Sequence, residues 1–448
     1  MLARFARARW GHRFRDRAAL ERWQRRRIAR LLRRAARVPF YREALAAGGS
    51  AGGGPATDRL ARLPVVDKAT TLAHFDELNA RGVRLADALS VGLEAERSRD
   101  FSPVVAGDVS VGLSSGTSGT RGVFLVSPIE RAQWAGTVLG RVLDPAALAR
   151  ILDRRRPPLR IAFFLRAGGQ LYEAVAGSRV DFAWYDLTRP LGEHVDRLKA
   201  EAAAGRPPEL LVAPPSVLDA LTTTAPASFR PLQVVSVAEV LEPDVEQRIA
   251  AAWGRPVRQV YQATEGLLAL TCAAGALHLN EESVYIQREW IDEEHTRFHP
   301  VLTDFDRRTQ LVVRYRLDDV LRAAPGRQPA GCPCGRVSRV VAAVEGRDDA
   351  VLHLPSVDGR STVTVFPDAV RQAVLASGAS FADWSVRQRG VELRVSLDRP
   401  GEGAVSAVIQ SLGALLERYG CPAHLEPAPW ADRDPAVKHR RIVREAAR

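Results

Sequence analysis

Apolar positions along the 448 residues recur with two different periods, and the period changes where one element gives way to the next. Near the N-terminus Leu20, Trp23, Ile28, Leu31 and Ala35 fall on one half of a helical wheel, which predicts an amphipathic helix ending near Pro39. The Gly/Ala/Ser-rich stretch 46–57 reads as a loop. Between about residues 160 and 265, short apolar runs alternate with helical stretches. Leu159–Leu165, Leu210–Ala213, Leu232–Val237 and Val257–Tyr261 read as strands, with helices over Ser216–Thr223 and Pro243–Trp253. That alternation argues a largely parallel sheet covered by helices. Shorter β-rich stretches follow, Leu311–Tyr315 among them. Past Gly346 comes a further unit: a strand over Val391–Leu397, a helix over Ala404–Tyr419 and a basic tail. No repeat of 20–50 residues is present. The fold class expected is α/β: a basic N-terminal helix (1–45), a large domain (46–345) with a parallel sheet flanked by helices, and a small C-terminal α+β domain (346–448).

Charge changes this picture in one place. The chain is +12 overall, but residues 1–42 hold fifteen arginines against Asp16 and Glu21, so the remainder sums to −1. A basic arm on a near-neutral body argues against a nucleic-acid-binding protein. The arm reads as a structural helix that could also contact an acidic surface. No run approaches eighteen apolar residues, and the arginine-rich start lacks the apolar segment of a secretory signal, so a cytoplasmic protein is expected. Of 64 basic residues only Lys68, Lys199 and Lys438 are lysines. In a chain that uses arginine almost everywhere, a retained lysine points to a need for its compact ammonium.

The sharpest chemical feature is Ser114-Ser115-Gly116-Thr117-Ser118-Gly119-Thr120-Arg121-Gly122, set between two β-like runs. Such a loop aims successive backbone N–H groups and hydroxyls into one concavity, which suits a polyphosphate; a polar surface hairpin is the plainer reading. It is not a Walker loop, since it lacks the Gly-Lys-Ser/Thr ending and leads into strand.

This loop resembles the phosphate loop of the adenylate-forming superfamily, which comprises acyl-CoA synthetases and adenylation domains. Further motifs follow in order. Tyr261-Gln-Ala-Thr264-Glu265 is similar to the family's Tyr-Gly-x-Thr-Glu, with Gln262 in place of glycine. Arg314-Tyr315-Arg316-Leu-Asp318-Asp319 is similar to Tyr-Arg-Thr-Gly-Asp, and Gly346-Arg347-Asp348-Asp349 resembles the hinge motif. Lys438 lies where the C-terminal catalytic lysine is expected. Pro39-Phe40-Tyr41-Arg42, Leu63-Pro64-x-x-x-Lys68 and Cys332-Pro-Cys334-Gly-Arg336 resemble the phenylacetate–CoA ligase branch.

The resemblance implies two steps: a carboxylate attacks the α-phosphate of ATP to give an acyl-adenylate, and an acceptor, usually the thiol of coenzyme A, displaces AMP. An anionic nucleophile approaching a polyanion needs positive charge and donors at the α-phosphate. The resemblance further implies that Ser114–Thr120 would hold the departing phosphates, Glu265 would ligate Mg2+ and Thr264 would donate to the α-phosphate. Ala238, Glu239 and Tyr261 would border the nucleotide, Asp319 and Arg347 would meet the ribose, and Lys438 would bridge carboxylate and α-phosphate during adenylation. Asp349 would be the hinge about which the small domain moves. An aryl or apolar acid would enter between the Phe163–Tyr185 stretch and Ser236–Glu265, although most of Phe163, Phe164, Tyr172, Phe182, Trp184 and Tyr185 read as core.

Four cysteines in a cytosolic chain do not suggest disulfides. Cys332 and Cys334 form a tight thiolate pair, and Cys272 with His278 would complete a four-ligand zinc site. The plainer reading is buried cysteines; the resemblance favours structural Zn2+. The overall expectation is a ligase using ATP and Mg2+ to activate a carboxylic acid for coenzyme A. An amine acceptor and a degenerate nucleotide-binding scaffold are the competing readings.

Overall fold

The computed structural model describes residues 1–11, 13–47, 54–114, 121–166, 176–226, 229–325, 332–431 and 438–445. The chain forms two compact units, Met1–Leu317 with Arg322–Val344, and Asp318–Leu321 with Glu345–Arg448.

In the larger unit an antiparallel hairpin, β1 (Ser110–Leu113) and β2 (Val123–Val126), precedes a helix over Pro128–Val142. Then come the parallel strands β3 (Leu159–Leu165), β4 (Val180–Asp186), β5 (Leu210–Ala213), β6 (Gln233–Ser236) and β7 (Val257–Ala263). They stand in the order β4-β3-β5-β6-β7. From β7 the sheet continues antiparallel through β8 (Gly266–Thr271) and β9 (Leu277–Leu279). Beyond them lie β10 (Val284–Trp290), β11 (Arg297–Asp304), β12 (Tyr315–Arg316), β13 (Asp319–Ala323) and β14 (Val340–Arg347), making twelve strands among the described residues. The division between the units runs through β13 and β14.

Side chains alternate across each strand. Ala162 and Phe164 of β3 pack toward the helices Pro215–Thr224 and Pro243–Trp253, whereas Ile161 and Phe163 pack toward Ala135, Leu139 and Val142 of the helix Pro128–Val142. Burial on both faces explains why these strands read as continuous apolar runs. The aromatic stretch is mostly core: Phe164 stacks on Tyr185 at 4.4 Å between centroids, and both are fully buried. Tyr172 lies outside the described residues.

The expected strand over Leu311–Tyr315 is not formed, and only Tyr315–Arg316 pairs, with β11. Leu311, Val312 and Val313 are buried, so the apolar signal was one of burial. The Val312 carbonyl is taken by the Asp304 amide, the Arg314 amide by the Thr303 hydroxyl, and Arg314 has φ 50°. That left-handed residue breaks an extended run.

The basic arm belongs to the larger unit. Asp16 caps a helix over Arg17–Ala35 that buries Leu20, Gln24, Ile28, Leu31, Leu32 and Ala35. Its inner arginines meet this chain's own acids and carbonyls. Arg17 pairs with Glu281, Arg27 with Asp306 at 2.7 Å, and Arg34 donates to the Phe305 carbonyl at 2.7 Å. The preceding short helix, Leu2–Ala6, lies against Gly136 and Gly140, where a Cβ would stand 2.6 Å from the Met1 carbonyl oxygen and 2.8 Å from that of Phe5. Only glycine admits a backbone that close.

The smaller unit carries a four-stranded sheet of His424–Pro427, Glu392–Asp398, Asp383–Arg389 and Ile442–Arg444, in that order. Helices Pro367–Ala376 and Ala404–Arg418 cover it over a core that includes Val374, Trp384, Val395 and Leu412.

Candidate functional site

The parallel strands turn outward from one point. From β3 the chain moves first to β4 on one side and then to β5 on the other, so the carboxyl ends of β3 and β5 flank a topological switch point, where open α/β sheets bind ligands. Arg166 follows β3, and Ser216 opens the helix after β5. Both reach Glu239, which follows β6: the Ser216 hydroxyl donates at 2.6 Å, and the Arg166 guanidinium lies 3.6 Å away. Ala238 before it has φ 69°, a strained conformation for a residue with a Cβ.

One strand further along, β7 leads into the turn between β7 and β8. Tyr261 is buried, Thr264 is exposed and donates to Glu265 at 3.0 Å, and Glu265 is 6% exposed. A bulge between Tyr261 and Gln262 re-aims this segment. Gln262 accepts a hydrogen bond from the Trp134 indole at 2.7 Å, which links the turn to the helix Pro128–Val142. Beneath it, Asp304 Oδ2 comes within 3.1 Å of where a Gly266 Cβ would stand. Burial, with Asp306 alongside, pushes the Asp304 carboxyl up to about 7.

The hydroxyl-rich loop does connect two antiparallel strands. Its neck is closed by Ser114, whose amide donates to the Gly122 carbonyl at 2.9 Å and whose hydroxyl accepts from the Gly122 amide at 2.7 Å. Ser115, Gly116, Thr117, Ser118, Gly119 and Thr120 lie outside the described residues.

Asp319, Arg347, Asp349 and Lys438 belong to the smaller unit. Asp319 and Arg347 stand 3.7 Å apart. Asp349 sits in the short turn Asp348–Ala350 and pairs with Arg440. Lys438 begins a run anchored by its neighbours: His439 lies 3.1 Å and Arg441 2.9 Å from the Asp383 carboxylate, and Arg441 also lies over the Trp384 ring. Despite its burial, Asp383 is held far below the usual carboxylate range by His439 and Arg441. The run therefore rests on side chains that no motif marked, as Glu239 rests on Arg166 and Ser216.

Cys272, His278, Cys332 and Cys334 converge, with all ligand atoms within 4.8 Å of one another. The sulfurs of Cys272 and Cys332 lie 3.8 Å apart, those of Cys332 and Cys334 3.2 Å, and Cys334 Sγ lies 3.4 Å from His278 Nε2. A tetrahedron with bonds of about 2.3 Å has edges of about 3.8 Å; the Cys272–Cys332 separation equals that edge and the Cys332–Cys334 separation is shorter. His278 Nδ1–H donates to the Ser338 carbonyl at 2.8 Å, which leaves Nε2 as a lone-pair donor facing the sulfurs. The Arg336 amide points at Cys334 Sγ at 3.4 Å, and the buried pair Arg141–Glu282 lies alongside.

No family model and no curated protein matches this chain. Solved structures do. The 2-hydroxyisobutyryl-CoA ligase in its postadenylation state, with R3-HIB-AMP, is 17% identical with a TM-score of 0.66, covering 98% of this chain and 91% of its own. ATP-bound MatB from Rhodopseudomonas palustris is 12% identical with a TM-score of 0.51, covering 75% and 65%. The anthranilate CoA ligase AuaEII with anthranoyl-AMP is 14% identical with a TM-score of 0.50, covering 74% and 65%. The chain has the fold of the adenylate-forming CoA ligases.

Proposed function

We propose that this protein is an adenylate-forming ligase that activates a carboxylic acid with ATP and passes the acyl group to a thiol, that of coenzyme A. The observation that carries this reading is the gathering of Ala238–Glu239, Tyr261 and Thr264–Glu265 at the carboxyl edge of one parallel sheet, beside its switch point. A nucleotide seated there brings its phosphates to the turn holding Thr264 and Glu265. Thr264 donates to the α-phosphate, and Glu265, a buried carboxylate, offers hard oxygen to the Mg2+ that accompanies ATP. The loop Ser114–Thr120 holds the departing pyrophosphate. Asp319 accepts from the ribose hydroxyls with Arg347 beside it, and Ala238–Glu239 border the base. Lys438 supplies the cation for adenylation, and Asp349 is the hinge residue of the smaller unit. The structures that share the fold include ligases holding acyl-adenylates and one holding ATP, which supports the order of these steps. We assign the chain to the phenylacetate–CoA ligase-like branch and to the cytoplasm, with a structural Zn2+ on Cys272, His278, Cys332 and Cys334.

Carboxylate-dependent ATP–pyrophosphate exchange tests this, run over aryl, aliphatic and amino acids beside Glu265→Gln. Exchange with one class of acid, reduced at least a hundredfold in the variant, is the expected result. A chain that neither exchanges nor binds ATP is not an adenylating enzyme.

A further inference from the structure

We propose that the outer face of the helix Arg17–Ala35 is a docking surface for an anionic lipid bilayer. At about 100° per residue, Arg22, Arg26, Arg30 and Arg33 fall within an arc of about 80°, diametrically opposite the buried side chains. All four are exposed, and among the described residues none is in an ion pair. The contrast with the inner face is sharp, because there Arg17 and Arg27 meet Glu281 and Asp306. Like charges four residues apart destabilise a helix, and among the described residues no ion pair offsets that for these four. A plane of external negative charge would offset that repulsion.

The form of the stripe selects the partner. The stripe is flanked by small Ala29 on one side and by Trp23 on the other, and the Trp23 indole is engaged within the chain, donating to the Glu282 carbonyl at 3.0 Å with Arg27 over its ring. A reader of nucleic acid needs amides, hydroxyls or aromatic rings among its cations to meet base edges and faces. A straight rod with one row of guanidiniums over about 16 Å instead suits a plane of phosphates, each arginine adding about five-fold to membrane affinity. The same arm exposes large apolar side chains at its start, Leu2 at 77% and Trp10 at 55%, residue types that enter the bilayer interface. The helix's own apolar face is used against the body, so binding is peripheral and electrostatic.

The test mixes the full chain with vesicles of phosphatidylcholine alone and with vesicles containing about one-third phosphatidylglycerol. Sedimentation should carry the protein only with the anionic vesicles, less so as salt rises. A variant with Arg22, Arg26, Arg30 and Arg33 all changed to Gln should bind several hundred-fold more weakly, at an unchanged melting temperature. Equal binding to both vesicle types, undiminished binding by the variant, or no binding at low salt would each overturn the proposal. So would tighter binding to a duplex RNA than to the anionic vesicles at the same salt. The outcome is independent of the adenylation assay.

Discussion

Asp304 shows how one buried group sets a pH dependence. Its carboxyl titrates near 7 in the folded chain, because burial and the neighbouring Asp306 oppose its charge, against an unfolded value of 3.8. A raised acid binds its proton more tightly when folded, so its stabilising effect is complete below the unfolded value and is lost as pH rises toward about 7. We expect the stability of the larger unit to fall across that window by up to about 1.4 kcal/mol per pH unit, and Asp304→Asn to flatten the slope. Denaturant melts at several pH values check this; superimposable wild-type and variant profiles would refute it. Asp304 was not legible as special in the sequence, because its approach to Gly266 is made across the sheet. The contact between Thr264 and Glu265, by contrast, joins neighbours along the chain within one turn.

The thiolate cluster belongs to the scale of elements. Cys332 and Cys334 announce themselves by spacing, but what brings Cys272 and His278 to them is strand register. β8 pairs with β9 so that Leu270 faces His278, and β14 sets Val340 against His278 from the other side. Two hairpin turns thus converge on one point. Purified protein is expected to contain about one zinc per chain, and stripping it should lower the melting temperature, since a structural zinc contributes folding free energy directly. Metal-free protein of equal stability would exclude the site. The arginine-rich helix teaches a related lesson: its period foretold a buried face, but only the packed body showed that Arg17 and Arg27 complete ion pairs with Glu281 and Asp306.

At the scale of the whole molecule, Glu265 belongs to the larger unit, and Lys438, Asp319 and Arg347 belong to the smaller. If Lys438 acts in adenylation, Lys438→Ala should slow that half-reaction by roughly 10² to 10³ while leaving transfer from a supplied acyl-adenylate to the thiol nearly intact. Pre-steady-state assays of each half-reaction decide it, and equal damage to both would remove the lysine from that role. What the sequence by itself determined was whatever depends on neighbours along the chain: the parallel strands Leu159–Leu165 and Leu210–Ala213, the helix Pro243–Trp253, and the hydroxyl-rich loop between two strands. Periodicity and turn chemistry are local, so they are written in consecutive residues. Tertiary structure alone decided that Arg166 and Ser216 hold Glu239, that Asp383 anchors the run around Lys438, and that Leu311–Val313 is buried without pairing. Each of those depends on which strand lies beside which, and strand order follows from packing the whole sheet.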